Sequence, residues 1–479
     1  MAIHMSARHA RTSQIHQDIS GMSDRPISLI SQLSFTDTHV SPSINMVPSP
    51  NTLSRSSQEA EAEEVDSISK LSNLYGATYL NTPGEEDDTC WYKYWKRVSS
   101  LRGRQYDLPS GLVASRFVEI LASEINSLTA GDYPSERVLV FLSVTLQRNR
   151  LIKRAKDIRV MLERRLQLWT NGQVESLVNE AVSVDKKLAQ SETGSDGVRK
   201  FHRLMVRGKV REAMSSLDED GESSVLDPQS LTGENGRTVL DELKSKHPSP
   251  SIPAPHLLRI PDDLQGVPSL LPVQITADVV EKVAHKLHGG GGPSGVKADQ
   301  WTDFLLRYER SSHQLREAVA ALGNKLANED VPWERIRGLM ASRLVALDKR
   351  PGVRPIGVGE CLRRLLGKCM AEVTGDEVTN ACLQNQLCGG LSGGIEGAVH
   401  VMNGLFEERA TEGSKWGLLL VDAQNAFNSV NRIIALWYAR MYWPSCARYL
   451  FNTYKGHAEL VLQGSNGTGN MFSMEGVTP

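Results

Sequence analysis

The sequence predicts an α+β protein, a mostly helical N-terminal region followed by mixed helices and short hairpins. Three observations carry that expectation. Apolar residues recur at spacings of three and four between residues 110 and 215. A Pro-rich stretch interrupts the chain at 245–272. Beyond it, short apolar runs flank turn residues at Pro351-Gly352 and Asn466-Gly467. With 479 residues the chain is long enough for two or three domains. Its formal net charge of −2 and pI of about 6.7 neither point to nucleic acid nor exclude it, so local charge decides.

Residues 1–85 are rich in Ser, Thr, Gln and His, with an acidic patch at Glu59–Asp66, and read as a disordered N-terminal segment. Such a composition buries too little apolar surface to offset the entropy of ordering. No apolar h-region marks a secretory signal and no 18-residue apolar run marks a membrane span. Cytoplasm or nucleus is the expected location, and the protein is not expected to be secreted.

Residues 86–244 read as a helical, basic region. In "SRFVEILASEINSL", Phe117, Ile120, Leu121, Ile125 and Leu128 fall on one face. The stretch "QRNRLIKRAKDIRVMLERRLQLW" at 147–169 holds eight basic and two acidic residues between Arg148 and Arg165. Arg148, Arg150, Lys153 and Arg154 are its candidate phosphate contacts, and a solvated helix face is the alternative. A second basic amphipathic segment follows at 201–217. Residues 245–272 carry seven prolines and read as a linker or an extended, surface-hugging segment, with a domain boundary there.

Residues 273–479 form the last region. Thr276 is placed to cap a helix that ends before Gly289. His285 and His288 stand three apart but lack a third metal partner, so they read as surface or packing residues. Leu344–Leu347 and Val353–Val358 form a hairpin around Pro351-Gly352, with Lys349, Arg350 and Arg354 at or near its tip. Three cations on one hairpin suit a triphosphate, because guanidinium forks bind phosphate oxygens bidentately. A basic surface turn is the equal alternative. The following helix carries Arg363, Arg364 and Lys368. The Gly-rich turn at 389–394 lacks the Gly-Lys-Ser/Thr of a P-loop, which argues against an ATPase. Six cysteines form no CxxC pair and read as free thiols.

"LLLVDAQNAFNSV" at 418–430 then ends an apolar strand on Asp422 and opens a helix expected over 428–442. A strand-end carboxylate near a cationic hairpin is what magnesium-dependent phosphoryl transfer requires, though one such Asp is common in α/β proteins. "HAELVLQGSNGTGNMFSMEGV" reads as a further hairpin.

In this order, Arg354-Pro355-Ile356, the Gln386 turn, "DAQNAFNSV" and "SMEGV" resemble reverse transcriptases of retroelements. The likeness is strongest to retrotransposon polymerases of the non-long-terminal-repeat or tyrosine-recombinase type, and covers roughly 110–479. It implies an RNA-directed DNA polymerase, a nucleotidyltransferase with fingers and an incomplete palm over 273–479. It implies RNA template, DNA primer and deoxynucleotide triphosphates as partners and Mg²⁺ as cofactor. By the same resemblance Asp422 is the catalytic, metal-binding aspartate and Phe427 lies under the incoming sugar, with core packing as its alternative. Lys349 and Arg354 match triphosphate contacts, and Gln386 a template-side position. Ser473, Glu475 and Gly476 match the start of the motif against template and nucleotide. The family's Tyr-x-Asp-Asp motif is not in this sequence, so the chain reads as a fragment truncated within the palm and inactive alone. The alternative is a non-enzymatic nucleic-acid-binding protein derived from such a transposable element.

Overall fold

A computed structural model of the chain describes residues 57–80, 89–99, 101, 105–191, 205–206, 225–232, 236–349, 352–382, 393–415, 417, 425–464 and 467–477. The fold is α+β. Its first helices are α1 (Ser57–Tyr75), α2 (Cys90–Val98), α3 (Leu112–Ala130), α4 (Ser135–Leu146), α5 (Ala155–Thr170) and α6 (Val174–Ser191). The periodicity of "SRFVEILASEINSL" is realised in α3, where Phe117, Leu121, Ile125 and Leu128 are all buried. Phe117 stacks on Phe141 of α4 with centroids 5.0 Å apart.

α1 departs from the expected disorder. Leu71 and Tyr75 stand four residues apart on one face of α1 and are 0% and 2% exposed, and Tyr79, just past its end, is 7% exposed. Tyr75 stacks on Phe451 at 4.3 Å. The polar composition of the preceding residues hid this short stripe. α5 also starts later than the basic stretch suggests. Tyr106 pins residues 149–152 outside the helix by donating its hydroxyl to the Asn149 and Ile152 carbonyls at 2.6 and 2.8 Å. Met205 and Val206 apart, the 201–217 segment lies outside the described residues.

A short helix α7 (Val239–Ser245) leads into the Pro-rich stretch. That stretch is a strap packed on the body, within the compact unit Ser57–Pro479. Its carbonyls are anchored one by one. Ser67 donates to Pro253 at 2.8 Å and Trp437 Nε1 to Arg259 at 2.9 Å, while Arg440 bonds the Pro268 carbonyl. Proline suits such a strap, because it holds an extended backbone without needing a sheet partner.

The remaining helices are α8 (Ala277–Ala284), α9 (Ala298–Leu306), α10 (Glu309–Asn328) and α11 (Trp333–Met340). Thr276 caps α8 by accepting from the Val279 amide at 3.4 Å. The helix stops at Ala284, and His285 and His288 are exposed. Next come β1 (Ser342–Asp348), β2 (Val353–Gly359), α12 (Cys361–Cys382), α13 (Gly394–Arg409), α14 (Ala426–Ser429), α15 (Arg432–Tyr442), α16 (Pro444–Tyr454), β3 (Ala458–Gly464) and β4 (Gly467–Ser473). The expected helix over 428–442 is broken at Val430-Asn431, since Asn431 caps α15 by accepting from the Ile434 amide at 2.9 Å.

The four strands form one mixed sheet in the order β2-β1-β3-β4, with β1 and β3 parallel. Leu344 and Ala346 bury one face against Val239 and Leu243 of α7. Arg343, Val345 and Leu347 alternate onto the other face and are half-buried. Among the described residues no helix is long and apolar enough to cross a membrane.

Candidate functional site

The hairpin tip forms as the sequence suggests. The Lys349 amide donates to the Gly352 carbonyl at 3.0 Å, and Gly352 adopts φ +98°, which favours glycine. Lys349 and Arg354 are exposed, and neither forms an ion pair among the described residues. Arg350 lies outside them, as do Gln386 and Asp422 with the strand expected before it.

Two motifs far apart in sequence meet at α14. The Gly476 amide donates to the Val430 carbonyl at 2.9 Å and the Val477 amide to the Phe427 carbonyl at 2.7 Å. Gly476 has φ +79°, and a Cβ there would lie 2.4 Å from the Phe427 carbonyl oxygen. Only glycine fits this approach. Phe427 is 61% exposed, so core packing does not account for it.

Arg432, which sequence reasoning missed, holds this junction. It is 3% exposed, and its guanidinium donates to the Gly476 carbonyl at 2.8 Å, the Gly456 carbonyl at 3.1 Å and Ser473 Oγ at 2.8 Å. Glu475 closes the cluster by accepting from the Arg432 amide at 2.9 Å and the Ser251 amide at 2.7 Å. Burial pushes the Glu475 carboxyl above its usual range. One signal was available in the sequence. A cation in the first turn of a helix opposes the helix dipole, so an Arg directly after a capping Asn implies another use.

The hairpin tip and this junction lie toward opposite ends of the sheet. Arg354 pairs with Leu347, five residues along β1 from Ser342. Ser473 lies two residues past Met471, which shares the Ser342 row through Leu460. Seven rows at ~3.3 Å each separate Arg354 from Ser473 by roughly 23 Å along the sheet.

The basic residues divide by use. Arg148, Arg150, Lys153 and Arg154 are exposed on the segment between α4 and α5. Arg165, in the same basic run, is buried, donating to the Thr145 and Gln147 carbonyls at 3.0 and 2.7 Å and pairing with Glu180 at 2.8 Å. Arg363 donates to the Met340 carbonyl at 2.9 Å, and Arg364 to the His288 carbonyl at 3.1 Å. Both hold the fold together, which leaves Lys368 as the exposed cation of that trio. Cys361, Cys369 and Cys446 are buried free thiols, each pushed up to about 12 by burial.

Among the described residues no three His, Cys, Asp or Glu side chains gather to hold a metal ion. With Asp422 outside them, the described residues do not by themselves make a magnesium site.

Part of the chain is similar to a retroelement protein. Over 162 residues, 33% of this chain, it is 28% identical to the retrotransposable element SLACS 132 kDa protein of Trypanosoma brucei gambiense. The chain spans about 13% of that protein's length. No family model matches the chain. No solved structure matches it significantly. The similarity supports a retroelement origin.

Proposed function

We propose that this chain is the fingers and part of the palm of a retroelement RNA-directed DNA polymerase. The observation that carries the reading is the contact between Phe427 and the Gly476-Val477 backbone. It joins "DAQNAFNSV" and "SMEGV", each of which resembles a polymerase motif, and glycine is required at the joint. The similarity to a retrotransposon protein and the two exposed cations of the β1–β2 tip agree with it. On this reading Lys349 and Arg354 meet the triphosphate, Phe427 lies under the sugar of the incoming deoxynucleotide, and Asp422 holds magnesium. Catalysis also needs the carboxylates of the Tyr-x-Asp-Asp motif, which this sequence does not contain.

A second reading, a nucleic-acid-binding protein without polymerase activity, is favoured by the exposed cations Arg148, Arg150, Lys153 and Arg154. One titration bears on both readings. An RNA–DNA primer–template should bind the full chain with an affinity that falls as salt rises, because phosphate contacts release counterions. Lys153→Ala with Arg154→Ala should lower the salt slope by about 1–2. Salt-independent binding overturns phosphate contact in both readings. Binding with no loss on Lys349→Ala/Arg354→Ala favours the second.

A further inference from the structure

Residues 289–296 build a pocket that shares only Arg148 with the residues invoked in the two readings above. It has a volume of about 540 Å³ and lies between this Gly-rich loop, Arg343 of β1 and Arg148. The loop's carbonyls are tied down. Gly289 accepts from the Ala298 amide at 3.3 Å, Gly292 from the Gly295 amide at 3.0 Å, and Gly290 from Arg364. Ser294 accepts from Gln105 Nε2 at 2.9 Å. The amides of Gly290, Gly291 and Gly292, by contrast, donate to no acceptor among the described residues. Glycine is needed here because a Cβ on Gly291 would lie 2.6 Å from the Gly295 backbone, and one on Gly292 2.8 Å from that of Glu360.

Arg343 stands beside these amides, its guanidinium 3.8 Å from where a Gly290 Cβ would sit. Its Nε is buried without a hydrogen-bond partner among the described residues. An orphaned guanidinium donor next to consecutive free amides is an anion-binding arrangement. Arg148 and Lys297 add exposed cations to the lining. Asp107 and Asp299 also line the pocket, and both accept from Gln300, at 3.2 and 3.0 Å. Glu360 is buried behind the loop and accepts from the Ser294 amide and hydroxyl at 2.6 and 2.7 Å. The volume exceeds what a bare phosphate fills and suits a nucleotide.

We propose that this pocket binds the terminal phosphate of a nucleoside monophosphate, either free or at the 5′ end of a nucleic-acid strand. Arg343 and the Gly290–Gly292 amides hold the phosphate, and Asp107 and Asp299 offer acceptors to sugar hydroxyls or base amines. The proposal is independent of polymerase activity.

The test compares phosphorylated with dephosphorylated probes on the full chain. A short 3′-labelled RNA with a 5′-phosphate or a 5′-hydroxyl reports the strand end by fluorescence anisotropy. Adenosine monophosphate and adenosine report the free nucleotide by calorimetry. In at least one pair the phosphate should tighten binding by about tenfold or more, a strong charge-assisted pair's worth. The pair that responds identifies the source. Arg343→Gln should erase the preference. Arg148→Gln, at an exposed position, is the second variant should Arg343→Gln fail to fold, and it should lower the preference about threefold. Equal binding within both pairs overturns the proposal. So does a preference that survives Arg343→Gln, or one untouched by Arg148→Gln.

Discussion

Arg432 shows most directly how single residues set this fold. Its guanidinium donates to the Gly476, Gly456 and Glu475 carbonyls and to the Ser473 hydroxyl in a buried place, and removing it takes that donor from all four. Arg432→Ala should cost about 3–5 kcal/mol, read as a lower urea midpoint. An unchanged midpoint would show that the junction does not depend on it. Beside it stands His457, 6% exposed, with neither ring nitrogen bonded. Burial, and next the Arg432 charge, push the His457 pKa down from 6.5 to about 4. A depressed folded pKa means the unfolded state binds the proton more readily. Its contribution is therefore full above pH 6.5 and is lost as pH falls from there through about 4. Glu475, Glu360 and Glu136 have raised carboxyls and act in the opposite sense. The difference between the parent and His457→Phe isolates the histidine. The parent's stability relative to that variant should fall as pH drops across this window in a series of urea melts, and a pH-independent difference would contradict the account.

At the scale of elements, local chemistry was legible and long-range partners were not. The Thr276 cap, the face of α3 and the β1–β2 hairpin all rest on neighbours within a few residues. The strap rests on partners about 180 residues away, such as Trp437 for Arg259 and Asn431 for Ser251, and no local periodicity announces them. For the same reason α1 was hidden, since its stripe has meaning only against Phe451 and Leu436. Leu71 is fully buried in that cluster. Leu71→Ala should cost about 2–5 kcal/mol, seen as a drop in thermal midpoint. A change under ~0.5 kcal/mol would place α1 outside the cooperative unit.

Over the whole molecule, the sequence named candidate residues but not the partners that engage them. Phe427 and Gly476 lie 49 positions apart, and their segments are joined by backbone hydrogen bonds, from Val477 to Phe427 and from Gly476 to Val430. Arg363 and Arg364 were not distinguishable by sequence from free cations, because the carbonyls that engage them come from residues 288–290 and 340. The Gly-rich loop was visible as composition, but its pairing with Arg343 depends on the sheet. The central claim is that these parts belong to an RNA-directed DNA polymerase. Primer extension tests it most directly, using a protein that joins this chain to the Tyr-x-Asp-Asp and following segment of a retroelement polymerase, with Mg²⁺, deoxynucleotides and a DNA primer on RNA. Extension that is lost on Asp422→Ala is the expected result, while the 479-residue chain alone should extend nothing. Extension that persists in Asp422→Ala, or its absence from the joined protein when the primer–template is bound, would contradict it.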